Sequence, residues 1–339
     1  MDVDLLVVGG GPVGLGTAVE AALAGMTVAV VERRDGPIDK ACGEGLMPGG
    51  RAALRRLGVE PDGVELRGIR YLSGRHDATA EFSAGPGLGV RRTTLSAALA
   101  ERADGLGVKR VVGQAGPPVQ TRDHVEAAGV RARYLAAADG LHSPVRRGLG
   151  LDRTPGGTVR YGLRRHYRLA PWTDLVEVHW APDAEAYVTP VGAGTVGVAV
   201  LGPGGAPFDA WLARFPALAV RLADAGPVTP VRGAGPLRRT AARRSHGRVH
   251  LVGDAAGYVD ALTGEGISVG LACARELVRC LAADRPQDYE RAWRRATRRY
   301  RVLTGGLLAA AQRPALRRTI VPAAAALPGV FRGIVDRLG

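Results

Sequence analysis

The run DLLVV, residues 4 to 8, meets the glycines of GGGPVG at once, and this junction limits the fold more than any other part of the chain. A short apolar run stopped by glycine reads as a buried strand. Gly9, Gly11 and Gly14 then stand at G-x-G-x-x-G spacing and open an alanine-rich helical stretch that runs to Met26. TVAVVE, Thr27 to Glu32, is the next buried strand. Strand, tight turn, helix and strand make a βαβ unit, which calls for a parallel sheet. In such a turn the first glycine allows the sharp bend, the second lets a pyrophosphate approach the backbone, and the third lets helix and strand pack closely. Free N–H groups and the helix dipole then face the phosphates. Glu32, at the end of the second strand, is placed to accept from a ribose diol and disfavours a 2′-phosphate, so the held dinucleotide is FAD or NAD rather than NADP.

A second acid follows a strand near the other end. GDAAGYVDALTGEGI, Gly253 to Ile267, puts Asp254 after the apolar run RVHLV and follows it with a small-residue loop leading into another helix. FAD differs from NAD by its ribitol hydroxyls and by a flavin edge that becomes negative on reduction. A carboxylate suits the first, and a helix N-terminus with Gly264 and Gly266 suits the second. The pair of features selects FAD.

Between these ends the pattern changes twice. A helix is expected over 46 to 58 despite Pro48. ELRGIRYLSGRHDATAEF alternates as antiparallel strands do, and RRTTLSAALAERADGLG returns to helical spacing with Leu95 and Leu99 four apart. From about 156 to 236 two-residue alternation dominates, in LVEVHW, AYVTPVG and TVGVAVL. GISVGLACARELVRCLA reads as a helix. The expected class is α/β: a Rossmann-like FAD-binding domain (1–66, 88–155 and 237–285), an inserted antiparallel sheet forming the substrate domain (67–87 and 156–236), and C-terminal helices over 286–339.

The net charge of +14 comes from 46 basic and 32 acidic residues, and the only lysines are Lys40 and Lys109. Nucleic-acid binding is set aside, because the arginines recur along the chain, aromatics are 5%, and no base-reading motif is present. A positive field suits phosphorylated cofactors or an acidic carrier protein. Gly305 to Phe331 is the closest approach to a membrane span but is broken by Arg313, Arg317, Arg318 and prolines. It reads as helices packed on the body, with peripheral membrane contact as a second reading. The opening lacks the charged start and cleavage site of a secretory signal, so a cytoplasmic location is expected. Cys42, Cys273 and Cys280 form neither a disulfide framework nor a metal pair.

The combination of GGGPVG, Glu32-Arg33, RTTL, ADGLHSPVR and GDAAGYVDALTGEGI resembles flavoprotein monooxygenases of the p-hydroxybenzoate hydroxylase type and, within that superfamily, the geranylgeranyl reductase group. The resemblance covers residues 1 to about 285. It implies that Gly9, Gly11, Val13 and Gly14 meet the FAD pyrophosphate, Glu32 and Arg33 the adenosine end, and Arg92 the phosphates. It implies a link between Asp139-Gly140 and nicotinamide-cofactor use, with NADH or NADPH as a transient reductant. Asp254 falls at the pyrophosphate–ribitol region and Gly264, Glu265, Gly266 and Ile267 at the flavin edge. KACGEGL, Lys40 to Leu46, is close to a segment that lies near the flavin in the reductase group, which makes Cys42 a candidate for contact with flavin or substrate.

Two departures shape the expected reaction. AYVTPVG holds Tyr187 and Pro190 where the reductase group carries Y-x-W-x-F-P, which argues against long-chain isoprenoid reduction. Trp172 and Trp180 lie eight apart, so the W-x-W-x-I-P signature of flavin halogenases is missing. The expectation is hydroxylation of a hydrophobic, aromatic or polyketide-like small molecule through a flavin C4a-hydroperoxide, with His166, Tyr167, His179 or Tyr187 as an activating base. A flavin-dependent double-bond reductase is the first alternative, and an FAD-bound scaffold the second.

Overall fold

The computed structural model describes residues 2–153, 156 and 159–338. Val3–Val8 is the centre of the main sheet, flanked in parallel by Val28–Glu32 and Val130–Ala137. Lys109–Val112 and Val249–Leu251 extend it in parallel on either side. Leu5, Leu6 and Val7 are fully buried, which is why this strand reads as an unbroken apolar run. The helices Pro12–Leu23, Arg92–Gly105 and Gly266–Ala282 pack beside one another over the sheet. In the last, Gly270, Leu271, Ala274, Leu277, Val278 and Leu281 are buried at three- and four-residue spacing, the stripe of a helix with one side in the core.

Pro48 does not break its helix but starts it. The helix runs Pro48–Arg56 with the proline in its first turn, where the missing N–H would have had no partner in any case. Leu46, expected as the first residue of that helix, instead belongs to the strand Gly45–Leu46, which pairs with Gly87–Gly89 in a small three-stranded sheet.

The second sheet runs in the order Gly226–Pro227, Arg160–Arg168, Thr195–Pro203, Glu185–Gly192, Leu175–Trp180, Gly68–Ser73, His76–Glu81. It is mixed rather than wholly antiparallel, because Gly68–Ser73 lies parallel to Leu175–Trp180. These strands are separated by a hundred residues of chain, and no hairpin constrains their relative direction. Register places Tyr71, Val178, Tyr187, Ala199 and Arg164 in one row across the sheet. Tyr167, Val188, Val198 and Val200 point the other way, where Phe208, Trp211 and Leu218 of two short helices seal them. The expected domain boundary at 155/156 touches positions outside the described residues.

The chain ends in the helices Tyr289–Ala311, Pro314–Arg317, Ile320–Ala326 and Pro328–Leu338. Val321, Phe331 and Val335 close one end of the second sheet, with the Phe331 ring 4.8 Å from that of Tyr71.

Candidate active site

One cavity of about 990 Å³ joins the glycine turn of the main sheet to the inner face of the second sheet. That volume lies at the upper end of the range for ligand sites, about 300 to 1,000 Å³, so it has room for a dinucleotide and part of a substrate.

Its floor is the strand-to-helix turn. Gly9 has φ +107°, and a Cβ there would lie 2.5 Å from the Ala138 carbonyl oxygen. At Gly14 a Cβ would sit 1.8 Å from the Gly9 oxygen, whereas at Gly11 it would meet only Arg92 Nη2, at 3.7 Å. Gly14 therefore serves the close packing of helix on strand and is not part of the cavity wall. Gly9, Gly11 and Val13 do line the wall. Neither Pro12–Leu23 nor Gly266–Ala282 has a side-chain cap or an acid in its first turn, so the N–H groups of both helix starts remain available to an anion.

Glu32 is fixed by its own neighbourhood: Oε2 accepts from Gly10 N at 2.8 Å and Oε1 from Arg34 N at 3.2 Å. Each oxygen retains a lone pair for a diol. Arg33 lines the same end, and the Arg92 guanidinium faces the cavity with a buried, unpartnered Nε. Asp139 Oδ2 accepts from Val145 N at 3.1 Å and caps a short helix, while Oδ1 lacks a partner among the described residues. Burial raises the Asp139 and Asp254 carboxyls above their usual range.

Lys40, which sequence reasoning passed over, opposes these acids. A Cβ on Gly140, at φ +85°, would come within 3.1 Å of its Nζ. Burial lowers its pKa, aided by Arg92 and resisted by Asp254. The signal was present: Lys40 is one of two lysines in the chain and opens KACGEGL. Arg146 is a second missed residue. Fully buried, it donates to the carbonyls of Ala255 (3.0 Å) and Leu141 (2.9 Å) and pairs with Asp152, so it ties the loop after Asp139 to the turn holding Asp254.

The expected bases fare unevenly. His179 and Tyr167 are on the outer face of the second sheet, because strand residues alternate sides and theirs are opposite to Val178 and His166. His179 bonds Glu177 at 3.3 Å and Tyr167 packs on Phe208, so neither reaches the cavity. His166 is on the inner side but buried beneath the wall. Its Nδ1 lies 3.0 Å from Arg164 Nη1 and its Nε2 lies 2.5 Å from Glu44 Oε2. Nδ1 is also 3.0 Å from Thr229 Oγ1, so Arg164 and Thr229 together hold the ring with Nε2 directed at Glu44. Glu44 in turn accepts from Arg92 N at 2.7 Å and holds φ +59°, fixing the loop that carries Cys42.

Cys42 and Tyr187 both line the cavity. Cys42 Sγ accepts from Glu44 N at 3.4 Å. Tyr187 donates its hydroxyl to the Leu262 carbonyl at 2.7 Å, and burial raises its pKa well above the usual value. Gly264, Gly266 and Ile267 also line the wall, but Glu265 does not. Its side chain turns into the protein, almost fully buried with Oε2 unpartnered, so any part it has at the flavin edge falls to its backbone.

Uncapped helix starts, an open Gly11, a diol-accepting Glu32 and unsatisfied polar atoms at Arg92 and Asp139 fit FAD. A sequence profile described as FAD binding domain matches residues 2–179. The chain belongs to this FAD-binding family. It is an FAD-dependent oxidoreductase, and its similarity to named enzymes extends over most of its length. A menaquinone reductase of Mycobacterium tuberculosis is 30% identical over 326 residues, 86% of this chain and 78% of the relative. Digeranylgeranylglycerophospholipid reductase 2 of Methanopyrus kandleri is 28% identical over 307 residues, 81% of this chain and 76% of the relative. A flavoprotein/dehydrogenase structure from Cytophaga hutchinsonii superposes with a TM-score of 0.78 over 98% of this chain and 96% of that one, at 20% identity, a likeness of fold alone.

Proposed function

We propose that the protein reduces a carbon–carbon double bond in a hydrophobic, isoprenoid-bearing or quinone-like substrate. The observation that carries this reading is the character of the cavity's sheet side: Ile69, Tyr71, Val176, Val178 and Leu201 present apolar surface, and Tyr187 beside them, expected as a base, commits its proton to Leu262. Hydroxylating a phenol or enol calls for a base in reach of the substrate. Saturating an alkene calls for a dry slot and a proton donor. The reductase names of the two relatives above support the same choice, so the preference for hydroxylation gives way to the alternative.

Bound FAD, when reduced, supplies hydride; a nicotinamide cofactor is the proposed reductant. The chain's own part is to seat the alkene against the inner sheet, exclude water, and provide a proton at Cys42 Sγ, held by the Glu44 and His166 arrangement. Cys42→Ala should slow reduction of the alkene by about 10²-fold, the lower end for a lost acid, while leaving FAD absorbance unchanged.

Anaerobic single turnover is the test. Photoreduced, FAD-loaded protein mixed with a prenylated quinone or prenyl lipid without O2 should regain its yellow colour and give a product two hydrogens richer. Recolouring only with O2, with an oxygen atom added to the product, would restore the monooxygenase reading. No product in either atmosphere would favour the scaffold.

A further inference from the structure

The excess positive charge is not evenly distributed, contrary to the impression from the sequence. Residues 289–339 hold eleven arginines against two acids, Glu290 and Asp336, and so carry +9 of the net +14. The long helix Tyr289–Ala311 buries Trp293, Thr297, Tyr300, Thr304 and Leu308, and its arginines fall on the exposed side. Arg291 and Arg294 have acidic partners; Arg295 and Arg298 have none among the described residues.

Arg299 Nη2 donates to the Asp336 carbonyl at 3.0 Å, which lays the last helix against this basic element. That helix is apolar on two sides. Phe331 and Val335 are buried, yet Val330 and Ile334, each one residue earlier, are 58% and 41% exposed. The corner before it, Ala325 to Val330, is exposed at every position and has no charged or hydrogen-bonding side chain. Leu327, at its centre, is 56% exposed. The helical segments 314–326 and 328–337 meet there at 104°, and no single helix is long and apolar enough to cross a membrane among the described residues.

An apolar corner set in an arginine-rich, acid-poor surface is complementary to apolar material lying under negative charge, which is the layering of an anionic bilayer face. We propose that the C-terminal helices dock the enzyme on such a bilayer, with Leu327, Val330 and Ile334 entering the acyl boundary and Arg295, Arg298 and Arg332 meeting lipid phosphates. A nucleic acid would use the charge but leave the corner in water. A second copy of the chain would cover the corner but bring like charges together. The surface is outside the cavity wall, and the assignment does not depend on the substrate proposed above.

The test is flotation of the FAD-loaded full chain with vesicles of phosphatidylcholine, alone and mixed with phosphatidylglycerol. Binding is expected to the mixed vesicles only, and raising salt from about 0.05 to about 0.5 M should weaken it more than tenfold, because the Debye length contracts. Leu327→Asp/Val330→Asp should abolish flotation. Arg295→Gln/Arg298→Gln should reduce affinity about 25-fold, roughly fivefold for each arginine near the surface. Both variants alter exposed side chains, and retained FAD absorbance verifies their folding. Equal binding to neutral vesicles, or none to either kind, would overturn the proposal. So would a dimer on gel filtration that the Asp pair dissolves without any vesicle binding, or RNA capture that survives the Asp pair in place of flotation.

Discussion

Glu265 shows how far a side chain's place can depart from its motif. It lies between two glycines that line the cavity, and its sequence position suggested the flavin edge; the backbone turn sends it inward instead. Burial raises its carboxyl from 4.5 to about 7. Between those values the folded protein keeps a proton that the unfolded chain has released, so stability falls as pH rises through the window. Glu265→Gln, which cannot ionise, should stabilise the protein by up to about 3 kcal/mol at pH 8 and by nothing at pH 4. Thermal melts at the two pH values check it, and an equal shift at both would show that charge is not the cause. Tyr187 makes a second residue-scale prediction. Tyr187→Phe leaves the Leu262 carbonyl without its buried donor, costing about 1 to 3 kcal/mol in a denaturant titration.

At the scale of elements, the glycine turn separates packing from binding. Gly14→Ala forces a Cβ against the Gly9 oxygen, where real Cβ atoms do not go, so strand and helix must part and the variant should fold poorly. Gly11→Ala meets no backbone. It should yield a folded protein that loses FAD on dilution, read from circular dichroism and flavin fluorescence together. Both glycines were legible in the sequence because a strand precedes them and a helix follows, and the helix Gly266–Ala282 was legible for the same periodic reason. The direction of Gly68–Ser73 was not. Alternation reveals that a segment is a half-buried strand but is identical for either neighbour and either direction. The same limit explains His179 and Tyr167: the sequence offered two faces and no means of naming the inner one.

Over the whole molecule, a buried cluster links three parts that are distant in the chain. Glu185 is fully buried and pairs with Arg160 of the second sheet and with Arg317 of the C-terminal helices, whose Nη1 is 2.7 Å away. Arg160 reaches Asp260, in the loop before Gly264, at 3.5 Å. Arg317 also donates to the carbonyls of Ala181, Ala184 and Ala311. Removing one member leaves the others' charge buried and uncompensated. Arg317→Met should therefore cost about 3 to 5 kcal/mol, measured as a lower urea midpoint. Retention of the parental midpoint would mean that the C-terminal helices are not coupled to the sheet.

By itself the sequence determined the βαβ unit, the choice of FAD, and the alternation that marks an inserted sheet, because each depends on local spacing: glycines two and then three apart, an acid at a strand end, apolar residues at period two. Tertiary structure alone decided that Lys40 opposes Asp254, that His166 is spent on Glu44, and that Arg317 inserts beneath the second sheet. Those are meetings of residues more than a hundred positions apart, set by strand order and by which face of a sheet turns inward, and local spacing encodes neither.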